Sequence, residues 1–478
     1  MLPNLVYTIG HVNFSSRSMS TMTITPQGPK GYPLIGSLSK LASPNRLKWL
    51  QSMTDRYGDV VAFKLVNKQF YLINHPDLVK DMLTRDSANY SKRTLSFKII
   101  KVVLGESTFT SMGEEWRRKR LAVQPSFHKT KIINLATIMT NCIEEMLAHW
   151  ETLCDQGQTV ELTDAMMEIT LKVVVRALFS SALSDKDISA IAEAFTPLLE
   201  ATNRRITIPI QFLNTLPLAS NKKYQGYIQT LDDIIYRIIK ERRAAADKPM
   251  DLLQMLMDAT DENTGMPLTD KELRNEAMTM FIAGHETTAN ALCWLWTILS
   301  DQSDIRKNIE REVDEVLGDR LPVAADFPNL PYCLKVFKET MRLYPPVPML
   351  PRHVEENAML GNYHIKGGTD VLFSPYLLHR HPDFWHQPEV FDPSRFDEVA
   401  QRERHTFAYI PFGGGPRLCL GNNFALMEAV FIVAMTSQRF RLNLTENAKI
   451  EPLTGLTMKP KHGVPVILQR RLAVDKAR

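Results

Sequence analysis

The sequence predicts a single large domain that is mainly α-helical with a small β subdomain, an α+β fold. Long stretches with apolar residues at three- and four-residue spacing, typical of amphipathic helices, cover most of the 478 residues. Short β-rich runs occur near the N-terminus and again late in the chain. No Ser/Gly-rich linker, low-complexity block or repeat divides the sequence. We therefore expect residues 1–22 to form a flexible tail and residues 23–478 to form one domain.

The β part is predicted from four short runs. Val60–Leu65 and Gln69–Ile73 are rich in β-branched and aromatic residues, and Asn67-Lys68 between them indicates a hairpin. Strand-like patches return at Thr369–Phe373 and Val464–Leu468. We expect these late strands to complete the N-terminal sheet, which makes two separable domains less plausible.

Helices are predicted for most of the remaining chain. His75-Pro76 indicates a helix start, because proline is favoured in the first turn. The longer predicted helices cover 114–123, 131–153, 160–180, 186–203, 223–245, 270–299 and 304–317.

The composition excludes several classes of protein. A net charge of +4, from 57 basic and 53 acidic residues, is too small an excess for a nucleic-acid-binding protein. Five scattered cysteines with no Cys-x-x-Cys pair argue against a disulfide framework or a structural zinc site. The first 21 residues contain no apolar run long enough for a signal peptide or a membrane span. We expect a cytoplasmic monomer with no membrane span and no nucleic-acid partner.

One predicted helix contains a local conflict. Thr269 and Glu272 match a capping box, and Leu273–Leu299 is almost wholly apolar in its second half, which predicts a buried central helix. In its middle, Ala283–Thr288 includes glycine, which costs about 1 kcal/mol against alanine in a helix, and polar residues that suit a core poorly. Such a conflict in an otherwise well-specified helix indicates a functional site.

The common hydrolytic and nucleotide-binding motifs are missing from the sequence. A zinc-protease helix needs His-Glu-x-x-His, but the fifth position of that motif after His285-Glu286 is Ala289. No phosphate loop ending in Gly-Lys-Ser/Thr, Gly-x-Ser-x-Gly elbow or Gly-x-Gly-x-x-Gly fingerprint is present. Hydrolase, kinase and dinucleotide-binding functions are therefore not supported.

The strongest motif surrounds a single cysteine. The string Phe412-Gly-Gly-Gly-Pro-Arg-Leu-Cys419-Leu-Gly421 places Cys419 after a glycine-rich bend and before a predicted helix that starts at Asn422. The helix dipole and free backbone N–H groups favour a thiolate there, which lowers the expected pKa of the cysteine and suits it to bind a metal. Glycines let the backbone pass close to a large planar partner. The alternative is a buried, inert cysteine in a tight turn.

This string resembles the haem-ligand signature of the cytochrome P450 family, Phe-x-x-Gly-x-Arg-x-Cys-x-Gly. All of its fixed positions match, namely Phe412, Gly415, Arg417, Cys419 and Gly421. The resemblance spans roughly residues 24–470 and is closest to soluble bacterial-type members. It implies the family's fold and a b-type haem whose iron is bound by the Cys419 thiolate, with Phe412 against the cofactor.

Two further motifs resemble elements of the same family. Glu339-Thr-Met-Arg342 is similar to the family's Glu-x-x-Arg, with Arg395 as its third member, which implies a structural charge network. Ala283–Thr288 is similar to the family's oxygen-binding groove. There Glu286 and Thr287 would deliver protons and Gly284 would leave room for O₂.

A fourth element resembles the residues that hold the haem propionates. Trp116 and Arg120 share a helix face, and Arg352 and Arg417 are the remaining expected donors. The intervening cations Arg117, Arg118 and Lys119 are better explained as solvated charge. We also expect them to steer an acidic electron donor towards the side of Cys419.

The resemblance implies a monooxygenase that inserts one oxygen atom from O₂ into a hydrophobic substrate. A thiolate ligand favours O–O cleavage, and electrons would come from a separate ferredoxin or flavodoxin-type protein. The alternatives are a haem-thiolate isomerase, a peroxygenase, or a haem sensor or carrier. Isomerases and peroxygenases in the family tend to lack the acid–threonine pair found at Glu286-Thr287.

The substrate is expected to be lipid-like, with a fatty acid first and a terpenoid or other polycyclic compound second. The apolar loop Ile206–Leu218 would roof the access channel, and each buried CH₂ group contributes about 0.8 kcal/mol. Arg204 and Arg205, just before that loop, are candidates to hold a fatty-acid carboxylate, although two unpartnered surface arginines are the commoner explanation.

Overall fold

The computed structural model describes residues 24–180, 183–207, 214, 216–246, 248–261 and 264–471. The predicted tail, residues 1–22, lies outside these ranges, as does most of the predicted roof loop, at 208–213 and 215.

Helices make up most of the described chain. They are α1 Leu38–Leu41, α2 Arg46–Tyr57, α3 Pro76–Leu83, α4 Leu95–Leu104, α5 Gly113–Val123, α6 Lys129–Ile132, α7 Ala136–Asp155, α8 Leu162–Phe179, α9 Asp185–Thr207, α10 Ala219–Ala244, α11 Leu252–Met257, α12 Asp270–Asp301, α13 Ser303–Val316, α14 Pro331–Leu343, α15 Pro375–Leu378, α16 Glu398–Glu403 and α17 Asn422–Arg439. Among the described residues, no helix is both long and apolar enough to cross a bilayer.

The strands form a small β part. They are β1 Val60–Leu65, β2 Lys68–Ile73, β3 Tyr90–Ser91, β4 Thr159–Glu161, β5 Leu350–Val354, β6 Ala358–Leu360, β7 Tyr363–Ile365, β8 Asp370–Phe373, β9 Phe440–Leu444, β10 Pro452–Thr454, β11 Met458–Pro460 and β12 Pro465–Arg470. The largest sheet has the order β1-β2-β8-β5-β3, and in it only the β2–β8 pair is parallel. A smaller sheet has the order β4-β12-β9, and β10-β11 and β6-β7 are two-stranded.

The predicted pairing of the late strands is half right. As expected, β8 joins the N-terminal hairpin, with Leu372 opposite Leu72. The C-terminal strand β12 does not join it, and pairs instead with β4 and β9. Val466 lies opposite Val160, and both side chains are buried in the large helical core, so the apolar side of β12 is covered by helices rather than by the N-terminal sheet.

Two predicted helices begin differently from the sequence pattern. The predicted helix 131–153 is divided into α6 and α7 by a 3₁₀ turn at Ile133–Leu135. The predicted helix 160–180 is preceded by strand β4, and α8 starts only at Leu162. In contrast, α3 starts at Pro76 as expected, and the His75 side chain caps it by accepting from Asp77 N–H.

The central helix α12 is an unbroken helix of 32 residues. The predicted capping box is present: Thr269 Oγ1 accepts from Glu272 N–H at 3.3 Å, and Glu272 Oε2 accepts from Thr269 N–H at 3.0 Å. The helix packs against α8, α10 and α14 within one apolar core. Its position between these helices makes α12 the element around which the site is built.

The predicted charge network is also present. Arg342 binds Glu339 with two hydrogen bonds, at 2.7 and 2.8 Å, and neither residue is exposed to solvent. Arg342 also donates to the carbonyls of His379, Pro388 and Val390. Arg395 Nε lies 3.5 Å from Glu339 Oε1. These contacts join α14 to the segment that leads towards Cys419.

We predict that Glu339→Ala destabilises the protein by ~3–5 kcal/mol, because the substitution leaves the buried Arg342 guanidinium without a counter-charge. Urea unfolding measured by circular dichroism tests this. Glu398→Ala is the matched control, since it removes an exposed Glu–Arg pair of α16, with Arg402, and should leave the unfolding midpoint unchanged. Equal midpoints for the two variants would contradict a stabilising role for the network.

Candidate functional site

The cysteine loop is held by short-range backbone contacts. Cys419 N–H donates to the carbonyl of Phe412 at 3.0 Å, and Leu418 N–H donates to Gly415 at 3.0 Å. Gly415 has φ +65°, and a Cβ there would lie 2.0 Å from the carbonyl oxygen of Leu83, so only glycine fits. The loop leads directly into α17 through Gly421.

Cys419 is the exposed cysteine of the five, all of which lie in the described chain. Although its thiol is accessible, surrounding protein shields it from bulk solvent, and this desolvation raises its pKa; Gly421 N–H, Arg120 and Lys92 partly offset the rise. The sequence predicted that the helix start would lower the pKa of the Cys419 thiol. This prediction is wrong for the protein without a bound metal, because desolvation raises the pKa by more than the helix start lowers it. A bound metal cation would reverse the balance.

The predicted propionate-binding residues lie together beside this loop. Arg417 stacks on the Trp116 ring at 3.9 Å and donates to Ser111 O at 3.0 Å. Arg120 donates to Leu418 O at 2.9 Å, which ties α5 to the cysteine loop. Arg352 in β5 is buried, and among the described residues its guanidinium donates only to the carbonyl of its neighbour Pro351.

A fourth cation, Lys92, was missed by the sequence analysis. Its ammonium group is buried, donates to Phe109 O at 2.7 Å, and lies 4.8 and 4.2 Å from the ring centres of Phe97 and Phe109. Burial lowers its pKa strongly, and Arg352, Arg417 and Arg120 lower it further. No motif marks this lysine, because only the folded chain brings it to the arginines.

We call Lys92, Arg120, Arg352 and Arg417 the cation cluster. Desolvation lowers the pKa of each, to about 10 for Arg352 and to about 9 for Arg417. Within the described ranges none of the four forms an ion pair with a carboxylate. Buried cations without counter-charges are costly, so the cluster fits a ligand that brings its own carboxylates. A haem, with two propionates, matches this donor set and the accessible Cys419 thiol.

The face of α12 around the predicted oxygen groove also borders accessible space. Ala283 is exposed although it lies mid-helix, and Met280 and Thr287, one turn away on either side, are half-buried. Thr287 Oγ1 donates to Ala283 O at 2.7 Å, a local bond within the helix. The Glu286 carboxylate turns elsewhere and accepts from Thr457 Oγ1 at 2.7 Å. Burial raises the pKa of Glu286, while Thr457 and Lys459 oppose the rise.

Gly284 lies where two helices come close together. A Cβ at this position would lie 3.1 Å from Val174 Cγ2 of α8. The missing side chain therefore allows α8 to pack closely on α12. The helix is continuous here, and Thr288 Oγ1, like that of Thr287, donates back one turn, to Gly284 O at 3.3 Å.

A second buried acid, Glu428 on α17, was also missed. Neither carboxylate oxygen has a hydrogen bond of ordinary geometry among the described residues. Burial raises its pKa well above the usual range, and the nearby Thr288 hydroxyl offsets part of that shift. An acid inside the otherwise apolar run of α17 is unusual, and this pattern could have identified Glu428 from the sequence.

The three cations expected to steer an electron donor are not equivalent. Arg118 pairs with Glu272 and Asp261, and Lys119 is buried and bonds to Glu106 O and Glu115. The prediction that both are solvated charges is therefore wrong, because each holds α5 against its neighbours. Arg117 is exposed and makes no ion pair in the described part of the chain.

Comparisons with known proteins agree with this geometry. The cytochrome P450 family model matches residues 26–465. Cyclooctatin synthase of Streptomyces melanosporofaciens is 34% identical over 91% of this chain and 94% of its own length. Cyclooctat-9-en-7-ol 5-monooxygenase of the same organism is 31% identical over 91% of each chain. The crystal structure of the cytochrome P450DA heme domain superposes with a TM-score of 0.86, at 25% identity, covering 95% of this chain and 99% of that one. The chain therefore belongs to the cytochrome P450 family, and it is a P450 monooxygenase.

Proposed function

We propose that Cys419 binds the iron of a b-type haem whose propionates are neutralised by the cation cluster. The observation that carries this proposal is the exposed Cys419 beside four cations that have no carboxylate partner within the described ranges. When bound, the haem supplies the O₂-activating chemistry. The protein's own residues then have three tasks: to hold the cofactor, to exclude water, and to hold protons near the site.

Glu286 and Thr287 are proposed to carry out the proton task. Thr287 has a hydroxyl on the accessible face of α12, and Glu286 is the adjacent acid, with its pKa raised by burial. A carboxyl whose pKa is raised by burial holds its proton more readily than an exposed one, which suits it to pass a proton on. This pair distinguishes the proposed monooxygenase from an isomerase, a peroxygenase or a haem carrier, none of which needs such a relay.

We predict that reduced protein with carbon monoxide shows the red-shifted Soret band of a thiolate ligand, and that Cys419→His abolishes this band. The control is Cys154→Ser, which alters a half-buried cysteine of α7 and should keep it. If the band survived in Cys419→His, or if wild-type protein bound no haem, the assignment of the ligand would be wrong.

We predict opposite effects of Lys92→Met on the two forms of the protein. The haem-free form should become more stable, because a buried cation without a counter-charge is removed. The holoprotein should lose haem roughly tenfold faster, or more, because one charge-assisted hydrogen bond to the cofactor disappears. Haem transfer to apomyoglobin and urea unfolding of both forms measure the two effects.

The matched control for this prediction is Lys98→Met, which alters an exposed lysine of α4 close to Lys92 in sequence. It should change neither quantity. If Lys92→Met destabilised both forms equally, Lys92 would be a structural lysine of the loop and not a cofactor-binding residue.

For the substrate, we propose a neutral polycyclic, terpenoid-type compound first and a fatty acid second. This reverses the order favoured by the sequence, because Arg205 is already engaged: it donates to Asn221 Oδ1 and stacks on Tyr224 at 3.4 Å. Arg204 is exposed on α9 and makes no ion pair with another described residue. The relative named for a monooxygenase acting on cyclooctat-9-en-7-ol supports the same order.

We predict that polycyclic terpenoid alcohols shift the haem spin state at lower concentrations than fatty acids of similar carbon number. Optical titration of the holoprotein with matched pairs of compounds measures this. Arg204→Gln should leave both titrations unchanged. If fatty acids bind more tightly than terpenoid alcohols, and Arg204→Gln abolishes this difference, the ranking with a fatty acid first would be correct.

The electron donor is proposed to be a separate acidic ferredoxin or flavodoxin-type protein. The supporting observation is Arg117, the exposed cation of α5, whose helix is tied to the cysteine loop by Arg120. Charge steering weakens as salt rises, since the Debye length is about 10 Å at 0.1 M. A reduction rate independent of ionic strength, in both wild type and Arg117→Glu, would contradict the proposal.

A further inference from the structure

The turn between β10 and β11 contacts two helices that are far apart in sequence. On one side, Thr457 Oγ1 donates to Glu286 Oε1 of α12 at 2.7 Å. On the other side, Leu456 N–H donates to Asn203 Oδ1 of α9 at 3.0 Å. We call Gly455, Leu456 and Thr457 the bridging turn, since it links α9 to the acid next to Thr287.

The contact with α9 is close. A Cβ on Gly455 would lie 2.6 Å from Asn203 Nδ2 and 2.7 Å from Asn203 Oδ1, so the amide group rests directly on the turn backbone. A residue with a side chain at Gly455 would push the turn and α9 apart. The absence of a side chain therefore allows the last turns of α9 to press on the bridging turn.

The strand that follows the bridging turn is anchored. Met458 N–H donates to Pro346 O at 3.0 Å, and Met458 O accepts from Trp294 Nε1 of α12 at 3.2 Å. The Trp294 indole in turn stacks on Tyr344 at 4.1 Å. Because this end of the hairpin is fixed to α12, a displacement of α9 would be taken up by the bridging turn and not by β11.

The last turns of α9 are joined to neighbouring helices. Thr202 Oγ1 lies 3.2 Å from the Tyr224 hydroxyl of α10, and Arg205 donates to Asn221 of the same helix. Helix α9 also packs on α4. A displacement of α9 would therefore involve α10 and α4 as well.

We propose that Thr457 is a positioning residue for Glu286, and that the bridging turn couples the last turns of α9 to this carboxylate. The inference rests on the proposed function, since it gives Glu286 a proton to deliver. The Thr457 hydroxyl donates to Glu286 Oε1, and the Asn290 side chain, one turn further along α12, also stabilises the ionised carboxylate. A shift of α9 would alter this contact when substrate is present.

Electrostatics predict the direction in which loss of the Thr457–Glu286 hydrogen bond shifts the pKa of Glu286. Burial raises the pKa of Glu286, and the Thr457 hydroxyl and Lys459 of β11 both lower it. A hydrogen bond donated to a carboxylate stabilises the ionised form. Removing the hydroxyl therefore raises the pKa of Glu286, and any pH limit that this acid sets on turnover moves to higher pH.

The test compares Thr457→Val, which keeps the shape but removes the donor, with Thr457→Ser, which keeps the donor. Turnover uses a ferredoxin, its NADPH-dependent reductase and the compound with the largest spin-state shift. Thr457→Val should form several-fold less product per NADPH, with the missing electrons recovered as H₂O₂, and its pH profile should move upward. Thr457→Ser should stay within about twofold of wild type. Thr454→Val, in the same hairpin, is the matched control and should match wild type.

Two results would overturn the assignment of Thr457. One is equal product per NADPH in wild type, Thr457→Val and Thr457→Ser. The other is an equal loss in both variants with no movement of the pH profile, which indicates packing alone. Thr457→Ala repeats the test with a smaller side chain if the valine variant folds poorly. Every variant should keep the reduced carbon-monoxide band, whose absence in wild type would instead refute the proposed function.

The coupling to α9 has its own test. Asn203→Ala removes the contact with Leu456 and should lower product per NADPH in the same direction as Thr457→Val, without abolishing the spin-state shift. If both residues act along one route, the double variant Asn203→Ala/Thr457→Val should be no worse than Thr457→Val alone. If instead the fold losses of the two single variants multiply in the double variant, the two residues act independently, and this result would overturn the coupling.

Discussion

Four cations near Cys419, none of which has a carboxylate partner in the described part of the chain, set the main constraint on this structure. Lys92 and Arg352 are buried, and Arg120 and Arg417 are half-buried. Their positive charges repel one another and lower each other's pKa values, most clearly for Lys92. A ligand that brings two carboxylates removes this cost, and any ligand that binds only the folded state stabilises it. Cofactor binding and folding are therefore linked through the cation cluster.

The constraint is informative because the buried arginines elsewhere in the described chain are paired with carboxylates. Arg342 meets Glu339, and Arg242 meets Asp251 through two hydrogen bonds of 2.7 Å with almost no exposure of either side chain. The chain thus supplies counter-charges where a buried arginine is structural. Their absence beside the one exposed cysteine is consistent with a charge supplied from outside the polypeptide.

The sequence was sufficient where local chemistry defines a feature. The capping box of α12, the helix start at Pro76, the glycine-rich loop before Cys419 and the Glu339–Arg342 pair each follow from residues a few positions apart. The sequence did not predict the contacts in which a side chain binds a partner that is distant in sequence. Lys119 reaches back to the Glu106 carbonyl, and Arg118 pairs with Glu272 across more than 150 positions. Neither partner can be read from the charge run around Arg117.

The same reason explains the error on β12 and the limit of the prediction for α12. A glycine inside a helix indicates that something comes close, but not whether the neighbour is a ligand or another helix; here it is Val174. The apolar alternation of β12 predicted a strand correctly but could not choose between two sheets, since register and partner depend on which core covers its apolar face.

Helix α12 combines functions that need different surroundings because its period turns successive residues to different neighbours. Gly284 faces α8, Glu286 faces the bridging turn, and Thr287 returns its hydroxyl to Ala283 on the accessible face. The acid and the hydroxyl are adjacent in sequence but bonded to different elements. A change in the bridging turn can therefore act on Glu286 without disturbing the bond of Thr287. The two side chains can therefore be altered separately, by substitutions in the bridging turn for Glu286 and within α12 for Thr287.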